Sequence, residues 1–540
     1  MQSVSDGQSF RKLRDGLHAG RTLARAGLLR PHRPDRTIRA ALKMMRWGQS
    51  AAGAYAAGAQ LRPGEPAVID DLGELTFAEV HERTDRLAAA LAGEGIGAGD
   101  SVALMCRNHR GFVEAVVALS KLGANTLLLN TGFAGPQLAD VVKRENPSAV
   151  VYDQEFTDLV AGALDGRQGF VAWVDRPVQD ERATLEQLIE RGGPAEPEPP
   201  AEHGRTTILT SGTTGTPKGA SRSSPGIAAA VSILSEIPLR ARERVLVSAP
   251  LFHQWGYAHF TLGLLLGSTL VLQQRFDPEA ALAMVERERV SCWPMVPVMC
   301  QRILELPDEV RRGYDASSLR TVPLSGSALP GDLAAGFMDE FGDVLYNLYG
   351  STEVAWAAIA GPEDLRGAPG TAGRPPRGTT VRILDDDGEP LGAGQTGRIF
   401  VGHELLFEGY TGGGNKDMID GLMATGDVGH FDDDGCLFVD GRDDDMIISG
   451  GENVFPQEVE EILATHERVR EAAVIAVEDE RFGQRLKAFV VTSGPVGEDA
   501  LKAHVKENLA SYKVPREIAF VDALPRSEQG KILKRELKNR

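Results

Sequence analysis

Between Thr210 and Gly219 the chain reads Thr-Ser-Gly-Thr-Thr-Gly-Thr-Pro-Lys-Gly. Three glycines let the backbone approach a ligand closely, and five hydroxyls with Lys218 can donate to phosphate oxygens. Lys218 does not stand at G-x-x-x-x-G-K spacing, so this is not the Walker pattern. A flexible Ser/Thr/Gly linker would leave the Pro-Lys-Gly ending unexplained. A second cluster, Tyr346-Asn347-Leu348-Tyr349-Gly350-Ser351-Thr352-Glu353, offers an aromatic face for a base, a hydroxyl for a phosphate and a carboxylate for a hard cation. In Ala424-Thr425-Gly426-Asp427 a turn presents an acid suited to bidentate bonding with a ribose diol. Two further runs are Gly441-Arg442-Asp443-Asp444-Asp445-Met446-Ile447-Ile448-Ser449-Gly450-Gly451-Glu452-Asn453 and Pro525-Arg526-Ser527-Glu528-Gln529-Gly530-Lys531. Singly, the Tyr-Gly-Ser and Thr-Gly-Asp runs are ordinary turns. Their order along one chain is the informative feature.

These residues need a scaffold, and the surrounding text alternates helix and strand. Leu75 to Gly93 has helical periodicity and precedes an apolar run from Ser101 to Met105. Phe112 to Leu122 is helix-like and Asn125 to Leu129 strand-like. This βαβ rhythm predicts an α/β fold with parallel sheets covered by helices. A Pro/Glu-rich connector, Gly193 to Pro200, leads into a strand at Thr206 to Leu209, just before the hydroxyl-rich loop. After the acidic stretch at 432–445, about a hundred residues carry their own pattern. Glu458 to Ala464 reads there as helix and Ala472 to Val477 as strand. The expected division is a basic extension over 1–50, a large domain over 51–441 and a small C-terminal domain over 442–540.

The 540 residues carry 58 Lys+Arg against 76 Asp+Glu, a net charge of −18, with 42% hydrophobic and 25% charged residues. That is globular composition, and the acidic balance argues against nucleic acid as a partner. No apolar run is long enough to cross a bilayer; the closest, Phe260 to Leu272, is interrupted by Gly263, Gly267, Ser268 and Thr269. No secretory signal is visible. Cys106, Cys292, Cys300 and Cys436 have no metal-like spacing, and free thiols fit a reducing cytosol. Charge is uneven. Residues 1–50 hold eleven Lys/Arg and three acids, a net +8 that leaves −26 for the rest. Phe10, Leu13, Leu17, Ala24 and Leu28 share a helical face beside His18, Arg21 and Arg25. Two readings follow: an arm packed on the body or on a second subunit of a homodimer, or peripheral contact with an anionic membrane.

Taken in order, the five runs resemble the AMP-forming acyl-CoA synthetase (adenylate-forming) superfamily, over roughly residues 50–540. The resemblance implies a large N-terminal domain and a small mobile C-terminal α/β domain, with the active site between them. It implies ATP, Mg²⁺ and CoA as cofactors and a small-molecule carboxylic acid as substrate. On this chain, Thr210, Ser211, Gly212, Thr213, Thr214, Gly215 and Lys218 would wrap the ATP phosphates. Ser325, Gly326, Ser327, Ala328 and Tyr349 would line the adenine slot, Asn347 and Gly350 would also bind the cofactor, and Thr352 would stand at the α-phosphate. Glu353, with Thr213, would hold Mg²⁺, and Asp427 and Arg442 would bind the ribose. Lys531 would reach the α-phosphate and the substrate carboxylate. Asp444 matches the family hinge, and Gly450 and Gly451 would border the pantetheine tunnel.

The resemblance also gives the chemistry a reason. Carboxylates do not react with thiols at neutral pH because the oxide leaving group is poor. Adenylation supplies AMP as leaving group, and positive groups must offset repulsion between two anions. Pro250-Leu251-Phe252-His253-Gln254-Trp255-Gly256 resembles the segment gating the acyl tunnel, where His253 either positions a reacting group or packs as an aromatic. No Asp stands there to pair with a substrate ammonium. Val296 to Met299 and Val354 to Trp356 would supply apolar walls. The leading expectation is a fatty-acid–CoA ligase; the alternatives are an aryl-CoA ligase and an acyl-AMP ligase that loads a carrier protein. Tyr410-Thr411-Gly412-Gly413-Gly414-Asn415, and Leu422 with Met423, depart from the family text near the nucleotide site.

Overall fold

The computed structural model describes residues 16–29, 33–176, 182–210, 218–220, 227–385, 387–403, 406, 416–442, 447–454, 456–479, 481–525 and 534–537. A six-stranded sheet runs, edge to edge, Gln168–Trp173, Ala149–Asp153, Ser101–Met105, Asn125–Leu128, Thr206–Thr210 and Lys218–Ala220. The first five are parallel and the last returns antiparallel. A second sheet orders Gly73–Thr76, Pro66–Asp70, Thr269–Leu272 and Arg244–Val247. Single bridges Val245 to Cys292 and Cys292 to Thr321 carry its direction on to a third sheet of Val322–Leu324, Leu345–Tyr349 and Ala358–Ala360.

The helix Arg110–Leu122 explains how the first two sheets stack. Ten of its thirteen residues are buried, and they share one core with Val68 and Leu270 of one sheet and Val102 and Leu104 of the other. A helix apolar on nearly all sides must be covered on nearly all sides. Its two buried charges are paired: Glu114 with Arg83 at 2.5 Å and Lys121 with Asp85 at 2.6 Å. Asn108, just before this helix, donates to the carbonyls of Val247 and Ala249 and accepts from the N–H of Leu251. It thereby fixes the segment that leads to His253.

Further along, an antiparallel sheet of Thr380–Leu384, Gly397–Gly402, Leu422–Phe431 and Met418–Ile419 is joined by Leu437–Arg442. Residues from Ile447 onward build a sheet of their own, Glu452–Val454, Ile447–Ser449, Gly483–Thr492 and Val469–Asp479, with Glu517–Phe520 added in parallel. Val459, Leu463, Val474, Leu486, Leu501 and Val505 form its core against the helices Pro456–Thr465 and Glu498–Asn508. The chain is thus an α/β protein with a large N-terminal part and a small C-terminal one. All four cysteines are buried free thiols. Among the described residues, no helix is long and apolar enough to cross a membrane.

The N-terminal segment differs from the expected stripe. Residues 16–25 are helical, and Leu28 packs on the core as expected, but Ala24 is exposed and Leu17 points outward, while Thr22 and Ala26 are buried and Leu23 joins Leu28 on the core. The Ala26 carbonyl accepts from the N–H of Ala241, so contact with the body chooses a different face. Phe10 and Leu13 lie outside the described residues. A second helix, Pro34–Trp47, is held to the connector of the sequence reading: Lys43 Nζ and Trp47 Nε1 both donate to Glu196, at 2.5 and 2.9 Å.

Candidate active site

The strands Val322–Leu324 and Leu345–Tyr349 are parallel, and both end at one cavity of about 2370 Å³. Ligands gather at the carboxyl ends of parallel strands because loops, not ladders, occupy that edge. Ser325, Gly326 and Ser327 leave the first strand there, and Tyr349, Gly350, Ser351, Thr352 and Glu353 leave the second. Gly350 has no steric alternative: a Cβ on it would lie 2.2 Å from the Ala355 carbonyl oxygen. Ser351 Oγ donates to Glu353 Oε2 at 2.8 Å and accepts the N–H groups of Glu353 and Val354. The turn is therefore wound around one hydroxyl, which aims Glu353 at the cavity wall.

Asp427 comes from the antiparallel sheet. Thr425 Oγ donates to the Ile399 carbonyl and accepts the N–H of Asp427, and Gly426 between them has φ of 86°. Asp427 Oδ2 in turn accepts from Tyr349 Oη at 2.5 Å. That bond draws together two residues 78 positions apart in sequence and places an aromatic ring beside a carboxylate. Ser325, Asn347 and Asp427 are all buried polar groups on the cavity wall. Ladder pairing sets the Arg442 backbone opposite Asp427; the Arg442 side chain lies outside the described residues.

The apolar wall comes from the three segments expected to supply it. Pro250, Phe252, His253, Gln254 and Trp255 line the same cavity, as do Val296 to Met299, Ala355 and Trp356. Val354 is instead fully buried in the core. Trp255 Nε1 donates to the Met295 carbonyl at 3.0 Å, and Trp356 Nε1 donates to Thr379 Oγ1 at 3.0 Å. Both indoles are held by their polar edge; the Trp356 ring also stacks on His403 at 5.3 Å between centroids, and Trp255 meets His259 edge-on at 4.3 Å.

His253 meets a partner that the sequence reading did not assign. Its Nε2 lies 2.7 Å from Glu452 Oε1. Glu452 follows Gly450 and Gly451, whose φ values of 62° and 87° belong to the left-handed region. A Cβ on Gly450 would lie 2.8 Å from the Phe482 ring, and one on Gly451 would lie 4.0 Å from the Gly326 carbonyl oxygen. The Gly-Gly-Glu loop of the small C-terminal part thus covers the cavity between its apolar and polar walls. Burial pulls the His253 pKa down, but attraction and hydrogen bonding to Glu452 outweigh it and leave the pKa above its ordinary value. The only signal in the sequence was a carboxylate adjoining the two glycines. Asn108, which sets the His253 segment from across the core, carried no signal at all.

Ser211, Gly212, Thr213, Thr214, Gly215, Asp444 and Lys531 lie outside the described residues. Thr210 and Lys218 are described only as paired backbone in adjoining strands. The departures at Tyr410 to Asn415 also fall outside, whereas Leu422 and Met423 are buried core of the strand that carries Asp427.

The donors present fit a nucleotide and its metal. Buried Ser325, Asn347 and Asp427 offer hydrogen bonds along a wall that also presents Tyr349, and Glu353 supplies the hard oxygen that Mg²⁺ favours. Residues 55–411 match the family model described as AMP-binding enzyme, and residues 458–531 match its C-terminal domain. The chain is 36% identical over 492 residues to a feruloyl-CoA synthase of an Amycolatopsis species, covering 89% of this chain and 97% of that one. It is 34% identical to an indoleacetate–CoA ligase of Aromatoleum aromaticum, covering 88% and 95%. Its fold is similar to that of the amide bond synthetase McbA from Marinactinospora thermotolerans, with a TM-score of 0.80 at 29% identity, covering 91% and 99%. The chain belongs to the AMP-binding enzymes, the adenylate-forming acyl-CoA synthetase superfamily. As an AMP-forming CoA ligase it uses ATP, Mg²⁺ and CoA and acts on a small carboxylic acid.

Proposed function

We propose that the protein converts an aromatic or other ring-bearing carboxylic acid to its acyl-adenylate and then to its CoA thioester, releasing pyrophosphate and AMP. The observation that carries this reading is the single cavity in which an indole-rich wall (Trp255, Trp356) adjoins the polar wall of Ser325, Asn347, Tyr349 and Asp427. Aromatic side chains on a wall favour a ring-bearing substrate through offset or edge-on contacts. The feruloyl and indoleacetate ligases act, by their names, on aromatic acids, and they favour the aryl alternative over the fatty-acid expectation.

In this reading Asp427 bonds the ribose hydroxyls and Tyr349 orients Asp427. Glu353 holds Mg²⁺, which neutralises phosphate charge when bound. Lys531 offsets repulsion as the carboxylate approaches the α-phosphorus, and the loop 210–219 holds the outgoing phosphates. For the second half, the segment from Gly450 to Glu452 borders the path of the thiol, and its contact with His253 keeps water from the acyl carbon. A turn of residues 442–540 about Asp444 would exchange Lys531 for this loop. The test is pyrophosphate release across aromatic and aliphatic acids, with and without CoA, with products weighed by mass spectrometry. Aromatic acids should give the highest kcat/KM and a CoA thioester. Turnover of long-chain aliphatic acids alone would overturn the aryl assignment, and acyl-adenylate that passes to amines or a carrier but never to CoA would overturn the acceptor.

A further inference from the structure

Thr206 and Tyr257 come from different elements and meet on the wall of the cavity, hydroxyl to hydroxyl at 2.8 Å. Thr206 opens the strand Thr206–Thr210. Tyr257 stands one turn into the helix Gln254–Leu266, where its N–H donates to the His253 carbonyl. At 1.5 Å per residue that turn carries the wall roughly 6 Å away from His253. On the strand, Thr206 lies four residues before Thr210, roughly 13 Å at 3.3 Å per residue. The pair is therefore set well back from the loop expected at the phosphates, and one turn back from His253. Thr126 is the ladder partner of Thr206 and also lines the cavity, so a third hydroxyl stands on the next strand at the same level. Around these groups the wall is apolar: Val116, Leu128, Ile208 and Phe260 are buried core residues that border the same space.

We propose that Thr206 and Tyr257 determine specificity by reading an oxygen substituent on the ring of the acid, at the end remote from its carboxylate. The proposal rests on the ring-acid reading above and adds the substituent: a hydroxyl para to the carboxyl-bearing carbon. Each of the two hydroxyls carries one hydrogen to donate and lone pairs to accept with. The bond between them uses one hydrogen, so one is left over whichever oxygen donates, together with lone pairs on both. A substrate hydroxyl can therefore donate to the pair and accept from it at once. Burial pushes the Tyr257 phenol up against the pull of its bond to Thr206, so it stays protonated at neutral pH and keeps its hydrogen to give. Hydrocarbon laid over the pair would strip water from the spare hydrogen and lone pairs without replacing it, and that costs binding. The same two groups thus favour an oxygenated ring and penalise an alkyl chain in its place. Their position agrees with this role. In the proposed reaction the acyl carbon lies beside His253, and one helical turn further along the wall is where the far edge of a ring would stand.

The test measures kcat/KM for pyrophosphate release by the full chain with two pairs of acids, 4-hydroxybenzoate against benzoate and 4-hydroxycinnamate against cinnamate. Wild type should favour the hydroxylated member of at least one pair by about tenfold or more. Tyr257→Phe and Thr206→Val each remove one hydroxyl at nearly constant shape. Each should bring that ratio down by about tenfold, mainly through a higher KM for the hydroxylated acid. Thr206→Ser, which keeps the hydroxyl, should retain the preference. Melting temperatures show whether the wall still packs, and should Tyr257→Phe fail to fold, Thr206→Val reads the same ratio. A wild-type enzyme that uses both members of each pair equally, or prefers the unsubstituted ones, overturns the proposal and leaves the ring-acid reading standing. Variants that slow both members of a pair to the same extent also overturn it, because the hydroxyl bond then only holds strand to helix. Turnover of aliphatic acids with no ring acid accepted would remove the ring-acid reading and this proposal with it.

Discussion

Asp427 shows how one carboxylate depends on contacts brought from elsewhere in the chain. Its backbone is set by Thr425 and its side chain by Tyr349, so in the proposed reading it would meet a ribose already oriented. Hydrogen bonds to a charged group are worth about 1.5–3 kcal/mol. Asp427→Ala should therefore raise KM for ATP by roughly 10–100-fold, with a smaller effect on KM for the acid; initial rates with each substrate varied in turn check this. Lys531→Ala should slow adenylation by about 10²–10³-fold and affect thiolysis of supplied acyl-adenylate far less. Equal slowing of both halves in single-turnover experiments would remove the assigned role. At this scale the sequence singled out Asp427 and Glu353 by residue type, and both stand on the wall of one cavity. It was silent on Glu452, because a carboxylate after two glycines says nothing of the imidazole 199 positions earlier that it meets.

Elements were legible wherever local physics decides them. The strand Ser101–Met105 lies where its apolar run predicts. The helix expected from Leu75 begins at Phe77, because Thr76 and Glu79 form a capping box in which each satisfies the other's backbone N–H. The strand expected at Ala472 to Val477 extends over Val469–Asp479 because a ten-residue partner, Gly483–Thr492, pairs along its length. The apolar run Phe260 to Leu272 divides into a helix and a strand at Gly267, whose φ is 58°. The basic arm was legible only in part: residues 16–29 pack on the body with Leu28 inward, but Ala241 and the core, rather than periodicity, turn Thr22, Leu23 and Ala26 inward in place of Leu17 and Ala24. The turn after Leu345–Tyr349 gives a prediction at this scale. Gly350→Ala pushes a methyl to 2.2 Å from a backbone oxygen that cannot move aside cheaply. It should cost about 1–3 kcal/mol of stability, read as a lower melting temperature, and reduce adenylation with it by displacing Glu353.

Across the whole molecule, the His253 to Glu452 contact ties the small part to the large one. Because the folded pKa of His253 is raised, the stabilisation from this ion pair is fully present below the ordinary histidine pKa and is lost as pH rises through the raised value. Closure of the Gly-Gly-Glu loop should weaken over that window. In Glu452→Gln the His253 titration, followed by NMR, should fall below that of wild type, since burial then acts without the carboxylate; an unchanged titration would mean that the pair does not form in solution. The amino-acid sequence by itself determined the α/β class and the family, because those rest on residue types, short-range periodicity and the order of motifs. Only the tertiary structure decided that Trp255 and Trp356 share a cavity with Ser325, Asn347, Tyr349 and Asp427, that Glu452 reaches His253, and that the helix Gln254–Leu266 lines the same cavity. Those facts depend on which distant segments meet, and that is settled by packing of the core rather than by any local run of residues.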